Sequence, residues 1–426
     1  MIKFSKVKKR IYFITIALPL AAIILFLCIF GFTTKVKAAD LMSGVKTKAI
    51  TQRNPDDRFK KDMNDFSLTL LKAVSSEDEN ILISPLSISL ALSMTANGAN
   101  KDTLSQMNTV LSKNIPLTEL NEYFASYITA LPSTKESKVK LANSIWYRDA
   151  SWLHIDKNFL QTNASYYKAN AYQAPFNDQT KKDINNWVKT HTNGMIDKIL
   201  DSIDKDEIMY LINSVMFDAR WETIYKKHDI GDISFNNQNG STTSVKGMNS
   251  IEAYYYHDNQ AAGVMKSYSE DKYRFVAILP NEDISLKDYL SDLDGDKLYQ
   301  IFRNFKITPV DTTIPKFKYD YSIVMNDALQ ELGIIDAFSP DKADFTKMGG
   351  SDQGNLYMGE VLHKTHISVD ELGTKAGATT VVSINTTTAA PGGKNTIILN
   401  RPFLYAIVDS STMLPIFIGT VTNLNK

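Results

Sequence analysis

The chain has 426 residues, of which 43% are apolar and 22% charged, a globular composition with material for a large core. That excludes a disordered, collagen-like or polytopic membrane chain. The formal charge is zero, but Lys3, Lys6, Lys8, Lys9, Arg10, Lys35 and Lys37 stand unopposed in residues 1–38, so the remainder is net acidic and unsuited to wrapping nucleic acid.

At the N-terminus a basic patch, Lys6–Arg10, precedes the uncharged run Ile11–Phe32 and the small pair Ala38-Ala39. A basic region, an apolar region and a small-residue site describe a secretory signal over 1–38. The apolar run is also long enough to span a bilayer, so an uncleaved anchor with the body facing outward is the alternative. The only cysteine, Cys28, lies in this run and follows Leu27, a poor lipoprotein context. The body therefore has no disulfide framework, cysteine-based zinc site or thiol nucleophile.

Residues 39–55 are polar and aperiodic, which predicts a linker. From 56 to the end no Pro/Gly/Ser-rich break appears before Thr386–Gly393, so 56–426 reads as one fold. Phe59, Met63, Phe66 and Leu70 are spaced for an amphipathic helix. Ser84-Pro85 opens a second helix, apolar nearly all round and closed by Asn97-Gly98, which predicts full burial. Asp183–Thr192 carries a third, closed by Asn193-Gly194. Strand signals follow at 209–217, 254–256, 273–279, 313–317, 397–399, 404–408 and 415–421. Helices early and strands late indicate an α+β chain.

Catalytic signatures are missing: the sequence has no G-x-S-x-G, H-E-x-x-H, Walker loop or G-x-G-x-x-G. His363 and His366 would suit a metal pair on a helix. Their surroundings, V-L-H-K-T-H-I-S-V-D, alternate like a strand, which sends the two rings to opposite faces and favours a hydrogen-bonded structural histidine.

The segment E-L-G-T-K-A-G-A-T-T-V-V-S-I-N-T-T-T-A-A from Glu371 has a strand's parity and a loop's flanks. One face holds Thr374, Ala376, Ala378, Thr380, Val382 and Ile384, uncharged and growing from small to bulky; Lys375 lies on the other. By itself it reads equally as a Thr/Ala-rich surface linker or as a strand held outside a sheet.

The hinge pattern E-x-G-T-x-A-x-A, at Glu371, Gly373, Thr374, Ala376 and Ala378, resembles that of the serpins, suicide inhibitors of proteases. So do the blocks N-I-L-I-S-P-L-S-I-S-L-A-L-S-M-T-A-N-G-A (80–99), L-A-N-S-I-W-Y (141–147), I-N-N-W-V (184–188), L-I-N-S-V-M-F-D-A-R-W (211–221), N-R-P-F-L-Y-A-I-V-D (400–409) and P-I-F-I-G-T-V (415–421). The resemblance implies an α+β fold with a large, mostly antiparallel central sheet, two smaller sheets, a ring of helices and an exposed reactive loop at about 371–395. It implies a monomer, not an enzyme, needing no cofactor or metal, that inhibits serine or cysteine proteases by loop cleavage and strand insertion. A non-inhibitory binding or chaperone protein of the same fold is the alternative.

Carried over by matching blocks, Ser84, Ser87, Asn213 and His363 form the shutter under the sheet opening. Trp221 stands at its top, with Lys316 and Glu371 as an ion pair nearby. Two positions depart from the family pattern: Ala219 replaces a glycine, and Lys375 a glutamate. Spacing from the hinge gives Thr387-Thr388 as the bait bond, with Ala389 and Ala390 as alternatives, because counting back from Arg401-Pro402 falls later, at Pro391. These small residues suit an elastase-like or subtilisin-like protease. The body is expected outside the cell, secreted if the signal is removed; contact with a membrane follows only if it is retained.

Overall fold

A computed structural model describes residues 36–76, 79–204, 207–374 and 395–424. The expected helices form, with local causes that can be named. Asp56 caps Asp57–Ala73 by accepting the Phe59 amide at 2.9 Å, and Phe59, Met63, Phe66 and Leu70 are all buried. Ser84 caps Pro85–Ala96, every residue of which is buried. That helix needs no polar face because it packs against the strands Pro415–Val421, Met209–Arg220 and Ser137–Arg148. The third helix runs over Asp178–His191, starting earlier than its apolar spacing suggests, because Asn177 and Thr180 make a capping box. It ends where Asn193 and Gly194 take positive φ values of 51° and 79°.

The helices Lys101–Leu111, Leu117–Ala130 and Lys157–Tyr167 are not among the elements read from the sequence, although Leu120, Tyr123, Phe124 and Tyr127 of the second are buried at helical spacing. Residues 39–55, expected as a linker, instead lie along the body. Ala39–Asp40 pairs with Tyr172 and Gln173, the Leu41 amide donates to Ala171 O at 2.9 Å, and Arg53 bridges to Glu119 and Glu122. Polar composition hid this, because the contacts are made largely by backbone groups.

The central sheet has seven strands in the order Ala39–Asp40, Asn170–Ala174, Ser137–Arg148, Met209–Arg220, Gly373–Thr374, Val361–Val369 and Phe317–Val324, mostly antiparallel. A nine-stranded sheet packs against it. There the 16-residue strand Thr242–His257 pairs with Ile230–Asn236 and Lys306–Pro315, and its last residues with Ala261–Ser267, which joins two smaller sheets into one hydrogen-bonded array. Leu153–Ile155 and Gly349–Ser351 make a separate pair. The predicted 313–317 strand is really two strands that meet at Lys316.

Candidate functional site

The middle of the central sheet is a gap that is closed at the foot and wedged open at the top. At the foot, Leu211–Asn213 pairs in parallel with Val361–His363. At the top, Gly373 and Thr374 sit between the same two strands, facing Arg220 and Ala219 on one side, with Thr374 opposite Val369 on the other. Gly373 is required there, since a Cβ would collide with the carbonyl of Ala219. Ala219 itself is accommodated, buried between Ser137 and Thr374.

At the upper end of the paired foot, where Asn213 is opposite His363, the four predicted shutter residues come together, all buried. The Ser84 amide donates to His363 Nε2 at 3.1 Å, so the histidine proton resides on Nδ1 and is donated to Asn213 Oδ1 at 3.2 Å. The Asn213 amide then donates to Ser87 O and, at 2.6 Å, to Asn143 Oδ1. Ser84 Oγ donates to Ile416 O at 2.7 Å, tying the cluster to the sheet behind. Ser87 Oγ has no partner. Burial pushes the His363 pKa down to about 3, so the ring is neutral. Asn143 was missed; the signal was present, because it lies in the L-A-N-S-I-W-Y block directly opposite Asn213.

His366 faces the other side of its strand and pairs with Asp320 at 2.6 Å. The strand reading of this histidine pair therefore holds.

At the top, Trp221 is buried and stacked on Tyr268 with ring centroids 4.4 Å apart. Its indole donates to Asp370 O at 2.8 Å, and its amide donates to Leu372 O at 3.0 Å. Tyr268 OH shares a 2.5 Å hydrogen bond with Thr374 Oγ1. The Lys316–Glu371 ion pair forms; burial, the largest single influence, would raise the Glu371 pKa, but the hydrogen bond and charge of Lys316 together with a backbone hydrogen bond hold the group below its ordinary range. Behind Trp221 lies a buried charge that sequence reasoning did not find. Lys266 bonds Glu252 at 2.7 Å and lies 4.4 Å from the Tyr225 ring centre. A lone lysine in an apolar strand pattern gave no sign of it.

Ala376, Ala378, Thr387, Thr388, Ala389, Ala390 and the N-terminal segment lie outside the described residues.

The site thus combines a buried hydrogen-bonded cluster where the two central strands pair with a two-residue strand, Gly373–Thr374, seated between them at the top. A model of the family described as "Serpin (serine protease inhibitor)" matches residues 61–424. Alpha-1-antichymotrypsin of Homo sapiens is 28% identical over 392 residues, spanning 88% of this chain and 91% of the relative. The structure of the thermophilic serpin tengpin in its native state is 50% identical, with a TM-score of 0.87, covering 91% of this chain and all of tengpin. Its latent state, 48% identical and covering 88% of this chain and all of that one, gives a lower TM-score, 0.79.

Proposed function

Since this chain belongs to the serpin family, a family of protease inhibitors and not of enzymes, we propose that it is an extracellular suicide inhibitor of serine proteases that accept small residues. The loop is cut near Thr387-Thr388 and its N-terminal part becomes a new central strand before the acyl-enzyme hydrolyses. The carrying observation is that Gly373–Thr374 already occupies the top of the gap in a defined register.

Continuing that register, one residue down the sheet for each residue along the loop, gives each inserted side chain a neighbour. Ala376 would face Phe217, whose ring is packed edge-on against Tyr268 and Tyr273, so a small side chain is needed there. Ala378 would face Val215. Thr380 would arrive between Asn213 and His363, where its hydroxyl can replace the hydrogen bond it separates. Val382 and Ile384 would meet Leu211 and Met209, both buried and apolar. Lys375, the departure from the family pattern, would face Asp218 on the opposite side of the sheet, an attractive pairing. No residue on the core side carries a charge, which argues for an inhibitor over a binding protein whose loop stays out.

The test is incubation with elastase, subtilisin, trypsin and chymotrypsin, followed by denaturing gels and sequencing of the released peptide. A denaturation-resistant complex is expected with the first two, releasing a peptide that begins between Thr388 and Ala390. Cleavage without any complex, or a peptide beginning upstream of Thr386, contradicts the reading.

A further inference from the structure

At the foot of the gap, below the shutter, the two central strands begin side by side. Immediately before them stand Glu207 on one chain segment and Gly359-Glu360 on the other. Glu207 Oε2 is buried without a hydrogen-bond partner and is pressed against Gly359, leaving no room for a Cβ there. Asn326 neutralises only backbone, donating to Gly359 O and accepting from the Val361 amide, both at 3.0 Å. Among the described residues, the charged groups around the Glu207 carboxylate are Glu360 just before the facing strand, Asp204 from its own segment and Arg148 from the adjoining strand; Tyr210 lies beside it. Arg148 Nε is spent on the Glu207 carbonyl, at 2.7 Å. Burial first, then repulsion from Glu360 and Asp204, pushes the Glu207 pKa up to about 7, with Arg148 opposing.

We propose that Glu207, facing Glu360, is a proton-controlled clasp on the closed sheet: protonated, it lets the two strands stay together; ionised, it helps them part, and so it sets how fast the loop completes insertion. This rests on the insertion reading above. The same register that seats Thr374 brings Thr386, the residue before the expected bait bond, to the level of Glu207. The clasp therefore acts on the last step, after the shutter has opened.

The sign follows from linkage. In the closed sheet the carboxyl holds a proton below about 7, whereas once the strands part it regains water and returns toward its ordinary 4.5. Its contribution to closure is therefore fully present below the open-state value and is lost as pH rises through 7. The whole displacement corresponds to about 300-fold in equilibrium, which solvent access at this partly exposed group reduces to an expected change of about 5-fold in rate.

The experiment compares wild type with Glu207→Gln at pH 8 and pH 5.5. One readout is the rate at which uncleaved protein, gently heated, becomes a urea-resistant, loop-inserted form; the other is the urea midpoint of the closed form. Wild type should convert about 5-fold faster at pH 8 than the isosteric variant, and the difference should shrink to about 2-fold at pH 5.5. The closed-form midpoint of Glu207→Gln should exceed that of wild type by clearly more at pH 8 than at pH 5.5. Identical pH profiles for both proteins overturn the clasp. The midpoint difference does not require trapping of a protease. If it appears without loop insertion, proton control of strand pairing stands while its effect on insertion and the inhibitor reading both fall; if it is missing while complexes form, the inhibitor reading stands and the clasp falls.

Discussion

His363 makes the shutter a unidirectional chain of hydrogen bonds: the Ser84 amide fixes its acceptor nitrogen, which forces its proton toward Asn213. Replacing Asn213 with Ala strands the Nδ1 proton of His363 and the acceptors on Ser87 and Asn143 in a buried site. A loss of about 1–3 kcal/mol is expected, read as a lower urea midpoint of the closed form together with faster conversion to the inserted one. The histidine also predicts an acid effect. Its folded pKa, about 3, lies below the ordinary 6.5, so its stabilisation is present above 6.5 and is lost as pH falls toward 3. This is opposite in sign to Glu207, and the two windows overlap. Urea midpoints of wild type and His363→Gln between pH 7.5 and 4.5 separate them: the decline on acidification should be shallower in the variant. A parallel decline in both would remove His363 from the account.

At the scale of an element, the proposed mechanism asks the segment from Glu371 to serve first as a loop and then as a strand. Ala378→Pro should leave the segment open to cleavage yet stall insertion opposite Val215, because proline cannot donate to a ladder. The variant should then be turned over as a substrate, with many molecules cleaved per protease inactivated. One-to-one trapping by Ala378→Pro would rule out strand insertion. Gly373→Val probes the same element from its seated end. A side chain there meets the Ala219 carbonyl, so the hinge should leave the top of the gap, seen as altered Trp221 fluorescence in the uncleaved protein.

Across the whole molecule, the proposed mechanism turns on adding one strand's worth of hydrogen bonding and apolar burial to the central sheet. Among the described residues, only Gly373–Thr374 separates the central strands at the top, and the likeness to tengpin is greater for the native than for the latent state. Cleavage of the bait should therefore raise the melting temperature sharply by adding a paired, half-buried strand, and Ala378→Pro should forfeit most of that rise. Calorimetry before and after cleavage decides. Export makes a separate prediction: N-terminal sequencing of protein from culture medium should begin near Ala39 or Asp40, whereas a membrane-bound chain retaining Met1 would indicate the anchor.

What the sequence by itself determined is what local chemistry and period encode. Ser84-Pro85 started a helix, unbroken apolarity announced its burial, alternation around His363 declared a strand, and the parity from Thr374 to Ile384 described a face fit for a core. The shutter set was legible because its members lie in recognisable blocks. Only the tertiary structure decided which distant groups share a site. The path of the His363 proton depends on contacts 150 and 279 residues away. Lys266 is tolerable in the core because Glu252, Tyr225 and Trp221 reach it from other segments. Glu207 looked like any surface acid until the start of a strand 150 residues later laid Gly359 and Glu360 against it. A carboxylate's charge state is set by the dielectric and the fields around it, and those are supplied by parts of the chain that its own neighbours in sequence do not specify.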